Sequence, residues 1–529
     1  MYLKQNVLIE PLVNQWYAWN LLITPHGLGM VLANYHKKIM ESYIRSPMMH
    51  TKAVKNPKMI GGPFMDLEGD QTAVVQALLE RTLAQNSDVI ALAEAIAETD
   101  KILLEEAKGQ TLAPIYARVP EALKGFVELG YDLNNQPSQR FLERFLYQSP
   151  LYQRDRQSLA LQQVAGDDRA FVLSTPRFPS PTQLHVPMAF DDPAIDTLFS
   201  MREQPRSLAE LDAWLPPDPA EQRFFKSLFT EEAPTLTGRD RDQIEGGMRV
   251  KYFGHATLLV ESPEVSILTD PIVSYEVPDP AAVPRYTYAD LPETIDYVVI
   301  THGHQDHIMF ETLLQLRHKI GTIVVPRSNG GTLQDPSLKL VLEYTGFKNV
   351  IELDEMERLP VPGGAITGLP FLGEHGDLHI RAKLGYHIRL NERAVVCVAD
   401  ANNLEPKMYD MARKTLGPID QLYVGMECAG APMSWLYGPL MNKPLPRSQD
   451  QARRLDGSDC EKAMRLIESL DPKSVYVYAM GQEPWLTFIS SIAYTETSKP
   501  IVESNQLVAR CREKGLISER LFGCKQIAF

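Results

Sequence analysis

Apolar residues recur at helical spacing through Val89, Leu92, Ala93, Ile96 and Ala97, which predicts a helix capped by Asp88 and running toward Gly109 as its stop. The stripe reads as core packing and carries no chemistry of its own. Prolines then crowd between about Ser174 and Pro219 (TPRFPSPTQLHVP, then WLPPDP), followed by the charged stretch TGRDRDQIEGG. From Met248 the pattern changes to short β-type runs, VKYFGHATLLVES, VSILTDP, IDYVVITH, TIVVP and AVVCVAD, interrupted by turn residues and by the helical FETLLQLRHK. The change of period predicts a boundary near residue 245, with a mainly helical α+β N-terminal domain (1–245) before an α/β domain (246–529).

At 529 residues the chain exceeds one ordinary core, so two domains are expected. With 44% hydrophobic and 23% charged residues it has the composition of a globular protein. No window approaches a bilayer-spanning apolar run, and MYLKQNVLIEPLV has no basic leader, so a cytoplasmic chain without membrane contact is expected. Its cysteines (Cys397, Cys428, Cys460, Cys511 and Cys524) are scattered and form no CxxC pair, which fits reduced thiols. A formal net charge of −14 and the absence of a long basic run argue against a nucleic-acid partner.

Chemistry concentrates in Thr301-His302-Gly303-His304-Gln305-Asp306-His307, at the end of the apolar run IDYVVI. An accidental HxHxDH is expected in roughly one chain of this length in several thousand. His302 and His304, two apart on a loop leaving a strand, point toward one metal, while Asp306 and His307 at the helix start serve a neighbouring one.

The string resembles the metallo-β-lactamase superfamily, and the resemblance implies an αββα sandwich with two metals at one edge. It also implies a structural Asp at Asp270 and a metal-bridging Asp at Asp400. Two departures stand out. Gly373-Glu374-His375-Gly376 occupies the place of the third His, and no histidine follows His387, so the second site is expected to be poor in nitrogen. If Glu374 fills the third position, the first site is two His and one carboxylate, a set associated with non-haem iron and oxygen. If His375 binds instead, a zinc or manganese hydrolase (thioesterase, lactonase or phosphodiesterase) is the alternative. A metal-stabilised binding scaffold is weaker, because nothing in the ligand set is crippled.

With Glu374 in that position, the chain is similar to the dinuclear-iron β-hydroxylases of chloramphenicol biosynthesis and nonribosomal peptide pathways. That resemblance implies two Fe ions held by His302, His304, Asp306, His307, Glu374 and Asp400, with Glu374 and Asp400 also catalytic. It further implies dioxygen, an external electron donor or reductase, and an aminoacyl substrate tethered to a carrier protein. The N-terminal domain would then be available for carrier docking or for assembly as a homodimer. His255 in FGHATLLV reads as a packed strand His that matches a common element of the superfamily. Glu427 and Glu483 follow strand-like runs and read as structural or as oxygen donors near the missing His. The basic residues of NKPLPRSQDQARR read as a solvated loop or a docking patch.

Overall fold

The β-type runs after residue 248 fold into two seven-stranded sheets. Strands β1 (Arg249–Gly254), β2 (Thr257–Glu261), β3 (Ser266–Thr269), β4 (Ile295–Val299), β5 (Ile320–Pro326), β6 (Val350–Leu353), β7 (Arg358–Val361), β8 (Gly364–Pro370), β9 (Leu384–Leu390), β10 (Arg393–Cys397), β11 (Ile419–Gly425), β12 (Pro472–Tyr478), β13 (Ile517–Arg520) and β14 (Lys525–Ile527) follow in chain order. The first sheet is ordered β6-β5-β4-β3-β2-β1-β14 and the second β7-β8-β9-β10-β11-β12-β13. The structure, a computed structural model, describes residues 1–210, 218–527 and 529. Most of the proline-rich WLPPDP string therefore lies outside the described residues.

Strands buried on both faces explain the continuous apolar runs in place of an alternating pattern. Ile267 and Val299 pack between the sheets with Tyr386, Ile388 and Val395 of the second sheet. Their neighbours Leu268 and Val298 point the other way, into the core shared with the N-terminal domain. The outer face of the second sheet is covered by helices Pro406–Leu416, Cys460–Leu470 and Lys499–Glu513. Each fully buried Leu, Ile or Val contributes about 1.5–3 kcal/mol to this sandwich.

The N-terminal segment contains helices Thr72–Gln85 and Ser87–Glu106 beside a four-stranded antiparallel sheet. The helix predicted from Asp88 starts one residue earlier, and Asn86 holds the cap position without a side-chain bond. Asp88 instead pairs with Arg156 at 2.5 Å, an ion pair across sixty-eight residues that local pattern does not encode. Leu21, Leu22, Val31, Leu92 and Ile96 share one apolar cluster with Phe310, Leu313 and Val325 of the metal domain. At the seam, Arg169 reaches Glu10 at 2.5 Å and Glu311 at 2.7 Å, and Arg177 reaches Glu10 at 2.6 Å. Burial opposes ionisation of Glu10, yet the two guanidinium groups hold its pKa down at about 2.

Candidate metal centre

Strands of both sheets end at one edge, where loops bring the predicted ligands together. β4 ends at Val299, and the loop 300–307 follows before helix Phe310–Leu316. Asp270, just after β3, pins that loop: it accepts the Thr301 amide at 2.7 Å and the Thr301 hydroxyl at 2.6 Å. The same carboxylate meets His307 Nδ1 at 2.8 Å, which leaves Nε2 facing Asp400 Oδ2 at 3.1 Å. From the N-terminal domain, the Asn20 amide donates to the Gly303 carbonyl at 2.8 Å, between the two histidines of the HxH pair.

Three overlapping sets of side chains could each hold a metal, their donor atoms lying within 4.8 Å of one another. The first is His302, His304, Glu374 and His375; the second is His302, His307 and Asp400; the third is His255, Asp306 and His307. Sharing His302 and His307 makes them one continuous centre. Glu374 lies 3.0 Å from His304 Nδ1 and 2.7 Å from His375 Nδ1, so the structure brings both sequence candidates for the third position to the same place. The Tyr437 hydroxyl meets His304 Nε2 at 2.8 Å, freeing Nδ1 to face Glu374.

The donor set fits metal ions. His302 Nε2 and Asp400 Oδ1 are buried without a hydrogen-bond partner, as expected of atoms whose partner is a cation. Burial disfavours the charge on His307, but Asp400, Asp270 and Asp306 still hold its pKa well above the usual value. Burial is likewise outweighed at Glu374, where His304 and His375 depress the carboxyl pKa. Burial and the neighbouring histidines drive the pKa of His302 far down, keeping it a neutral nitrogen donor. A buried cluster with this much carboxylate calls for positive charge, which metal ions supply.

Backbone geometry helps to aim these groups. Glu374 has φ +68°, His255 +49° and Ala399, immediately before Asp400, +43°. Each left-handed residue costs about 1 kcal/mol or more and persists only because its surroundings fix it.

His255 departs from the sequence expectation: it occupies the turn of the β1–β2 hairpin rather than a strand. Its Nδ1 accepts the Gly481 amide at 3.1 Å and its Nε2 lies 3.5 Å from Asp306. A nitrogen therefore does stand at the second site, delivered by a residue far upstream of where a final His was sought. Glu427 lines the cavity above the centre, its pKa pushed up to about 8 by burial and by Asp400 and Asp456. Glu483 instead accepts from the Tyr252 hydroxyl at 2.5 Å and belongs to none of the three donor sets. Sequence reasoning missed Asn20, Tyr437 and the segment around Lys58–Phe64, which roofs the cavity. Trp435 Nε1 ties that roof down with a 2.8 Å bond to the Gly61 carbonyl. The cavity measures about 700 Å³, ample for a small-molecule substrate.

Residues 2–234 match the diiron non-heme β-hydroxylase N-terminal domain, and residues 266–477 match a β-lactamase superfamily domain. The chain is 37% identical over 526 residues, 98% of each protein, to the 4-amino-L-phenylalanyl-[CmlP-peptidyl-carrier-protein] 3-hydroxylase of Streptomyces venezuelae. The crystal structure of CmlA, a diiron β-hydroxylase from Streptomyces venezuelae, superposes with a TM-score of 0.93 at 36% identity, covering 100% of this chain and 99% of that one. A CmlA variant superposes at 0.92 and 36% identity, with 100% of both chains covered. With the sandwich, the N-terminal domain and a donor set suited to two irons all in place, the chain belongs to the diiron non-heme β-hydroxylase family.

Proposed function

We propose that this enzyme hydroxylates the β-carbon of an aminoacyl group carried as a thioester on a nonribosomal peptide synthetase carrier protein. The observation that carries the reading is that Glu374 joins His302, His304 and His375 in one donor set, adding a carboxylate to a site that is all nitrogen in a typical hydrolase. In this reading His302, His304 and Glu374 would hold one iron and Asp306 and His307 the other, with Asp400 available to both. His255 stands ready as a further donor to the second site. Residues 1–245 form the substrate-side domain and residues 246–529 the metal domain.

When bound, the two irons supply the redox chemistry that activates dioxygen. In the net reaction a C–H bond at the β-carbon becomes C–OH. One oxygen atom of dioxygen enters the product; the other leaves as water with two protons and two electrons from an external reductant. The protein's own residues confine and orient. Asp270 holds the Nδ1–H tautomer of His307, and the Tyr437 hydroxyl fixes the orientation of the His304 ring. Ile60, Phe64 and Trp435 line the space above Glu374 and Asp400 and narrow it. Glu427 lines that space and accepts the Tyr494 hydroxyl at 3.3 Å. A reducing cytoplasmic setting goes with the proposal.

Single-turnover reaction of the reduced diiron enzyme with oxygen tests it, using free amino acid, aminoacyl-pantetheine and aminoacyl-carrier protein. A mass gain of one oxygen atom on the carrier-bound species is expected. Equal hydroxylation of the free amino acid would remove the tether from the proposal. Release of unmodified amino acid would reassign the centre to thioester hydrolysis.

A further inference from the structure

The chain is acidic overall, yet its charge reverses around the mouth of the metal cavity. From Ser42 to Met65 the sequence carries Arg45, Lys52, Lys55 and Lys58 and no carboxylate. Across the opening, Asn442 to Arg454 carries Lys443, Arg447, Arg453 and Arg454 against Asp450 alone. Asp450 is already engaged, accepting the amide and hydroxyl of Ser434 at 3.0 and 2.8 Å.

Lys58 and Arg454 are the cations of these two segments that line the same cavity as Glu374, Asp400 and Glu427. A backbone bridge and one indole hydrogen bond tie the two segments together. Arg454 bridges to Pro432, Pro432 lies three residues before Trp435, and Trp435 is bonded to Gly61, three residues after Lys58. Glu374 is buried and Asp400 and Glu427 are half-buried, like Arg454, whereas Lys58 is exposed and stands at the outer end of the cavity. Among the described residues the Lys58 ammonium forms no ion pair or side-chain hydrogen bond; the residue's recorded bond is its backbone amide to Asn56. Arg454 donates to Gln451 at 2.8 Å and has only a long contact, 3.9 Å, to Asp456. Asp456 is itself occupied by the Gly430 amide at 2.8 Å. The same cavity is lined by the apolar side chains of Met59, Ile60, Trp435, Leu436 and Leu455 together with the polar Gln305, Ser490 and Ser491.

We infer that Lys58 and Arg454 bind the phosphodiester of the pantetheine arm that links a carrier protein to its aminoacyl thioester. The inference rests on the carrier-bound reading of the function. A carrier's substrate arm is a flexible chain of amides and methylenes with one permanent anion at its base, which matches a cavity of mixed polar and apolar lining that also holds two cations with no close carboxylate partner. Anchoring the anion there supplies binding energy remote from the reacting carbon and fixes how far the thioester reaches toward the irons.

The test measures binding to the diiron holoenzyme by titration calorimetry at low ionic strength, with 4′-phosphopantetheine and dephosphorylated pantetheine as probes. Wild type is expected to prefer the phosphorylated probe by on the order of tenfold, as charge-assisted bonds at a partly exposed site allow. Lys58→Ala and Arg454→Ala should each reduce the preference and the double variant abolish it, while Lys58→Arg preserves it; iron content should stay at the wild-type level throughout. Equal affinity for the two probes in wild type, including failure of either to bind, overturns the inference, as does a double variant that keeps the preference. Displacement by inorganic phosphate at the same concentration as the bound probe would reassign the cations to free phosphate and also overturn it. A wild type that prefers phosphopantetheine but releases unmodified amino acid from the carrier would uphold the subsite while sinking the hydroxylase reading.

Discussion

Replacing Asp270 with Asn keeps the shape of a fully buried side chain and removes only its charge and one acceptor. The carboxylate receives three hydrogen bonds, from the Thr301 amide, the Thr301 hydroxyl and His307 Nδ1, at 2.7, 2.6 and 2.8 Å. An amide offers one oxygen, so its NH2 group must face either the Thr301 N–H or the His307 ring N–H. Both choices set donor against donor in a buried site. Leaving a buried donor unpaired costs about 1–3 kcal/mol, with bonds to charged acceptors toward the upper end. If the amide settles against His307, a loss of about 2–3 kcal/mol corresponds to roughly 30–160-fold weaker metal binding, overlapping the range found when the partner of a ligating His is removed. If it settles against Thr301, the loop carrying His302 and His304 loosens and both irons suffer. The assay is iron per chain after timed dialysis against a chelator, read beside the melting temperature. An Asp270→Asn protein that keeps two irons for as long as wild type and melts at the same temperature would refute the reasoning.

Glu374→His should shift the centre toward zinc and lower oxygenation, and metal analysis after growth with both metals reads this directly. If that variant keeps wild-type iron and rate while His375→Ala loses metal, the ligand has been assigned to the wrong neighbour. Arg169→Met removes the cation shared by Glu10 and Glu311 and should cost about 3–5 kcal/mol in urea unfolding, because two buried carboxylates lose compensation. A cost under about 1 kcal/mol would mean that Arg177 on Glu10 and the Tyr17 and Tyr275 hydroxyls, which donate to Glu311 at 2.9 and 2.8 Å, suffice. Glu143, its pKa raised by burial from 4.5 to about 7, holds its proton more tightly in the folded state. Its contribution to stability therefore declines as pH rises from 4.5 through 7. Glu143→Gln should gain on wild type by up to about 3 kcal/mol across that window, and an unchanged difference between the urea midpoints at its two ends would contradict the sign.

The sequence reveals those parts of the centre that are contiguous or that end a strand. His302, His304, Asp306 and His307 fall within one loop, and Asp400 closes an apolar run, so spacing alone points to members of the candidate donor sets. The sandwich was legible for a similar reason, since strands buried on both faces write unbroken apolar runs. What was not legible depends on distance or on backbone conformation. Tyr437 reaches His304 across 133 positions and Asn20 reaches Gly303 across 283, contacts that no local pattern encodes. His255 looked like a strand residue because its neighbours are apolar, but a positive φ in the hairpin turn aims its ring at Asp306. The Gly-His pair at that turn was the available signal.

The core shared by the two halves also sets a schedule for biosynthesis. A ribosome delivers Leu21, Leu22, Val31 and Leu92 well before Leu268, Val298 and Val325, the residues that cover them. At about 5–20 residues per second the nascent N-terminal part waits roughly ten to fifty seconds with an uncovered apolar face. During that interval it is a natural client for chaperones, and translation slowed between residues 100 and 260 would lengthen the exposure. Yield in a heterologous host should thus respond to codon choice in that stretch more than to codon choice in the ligand loop itself.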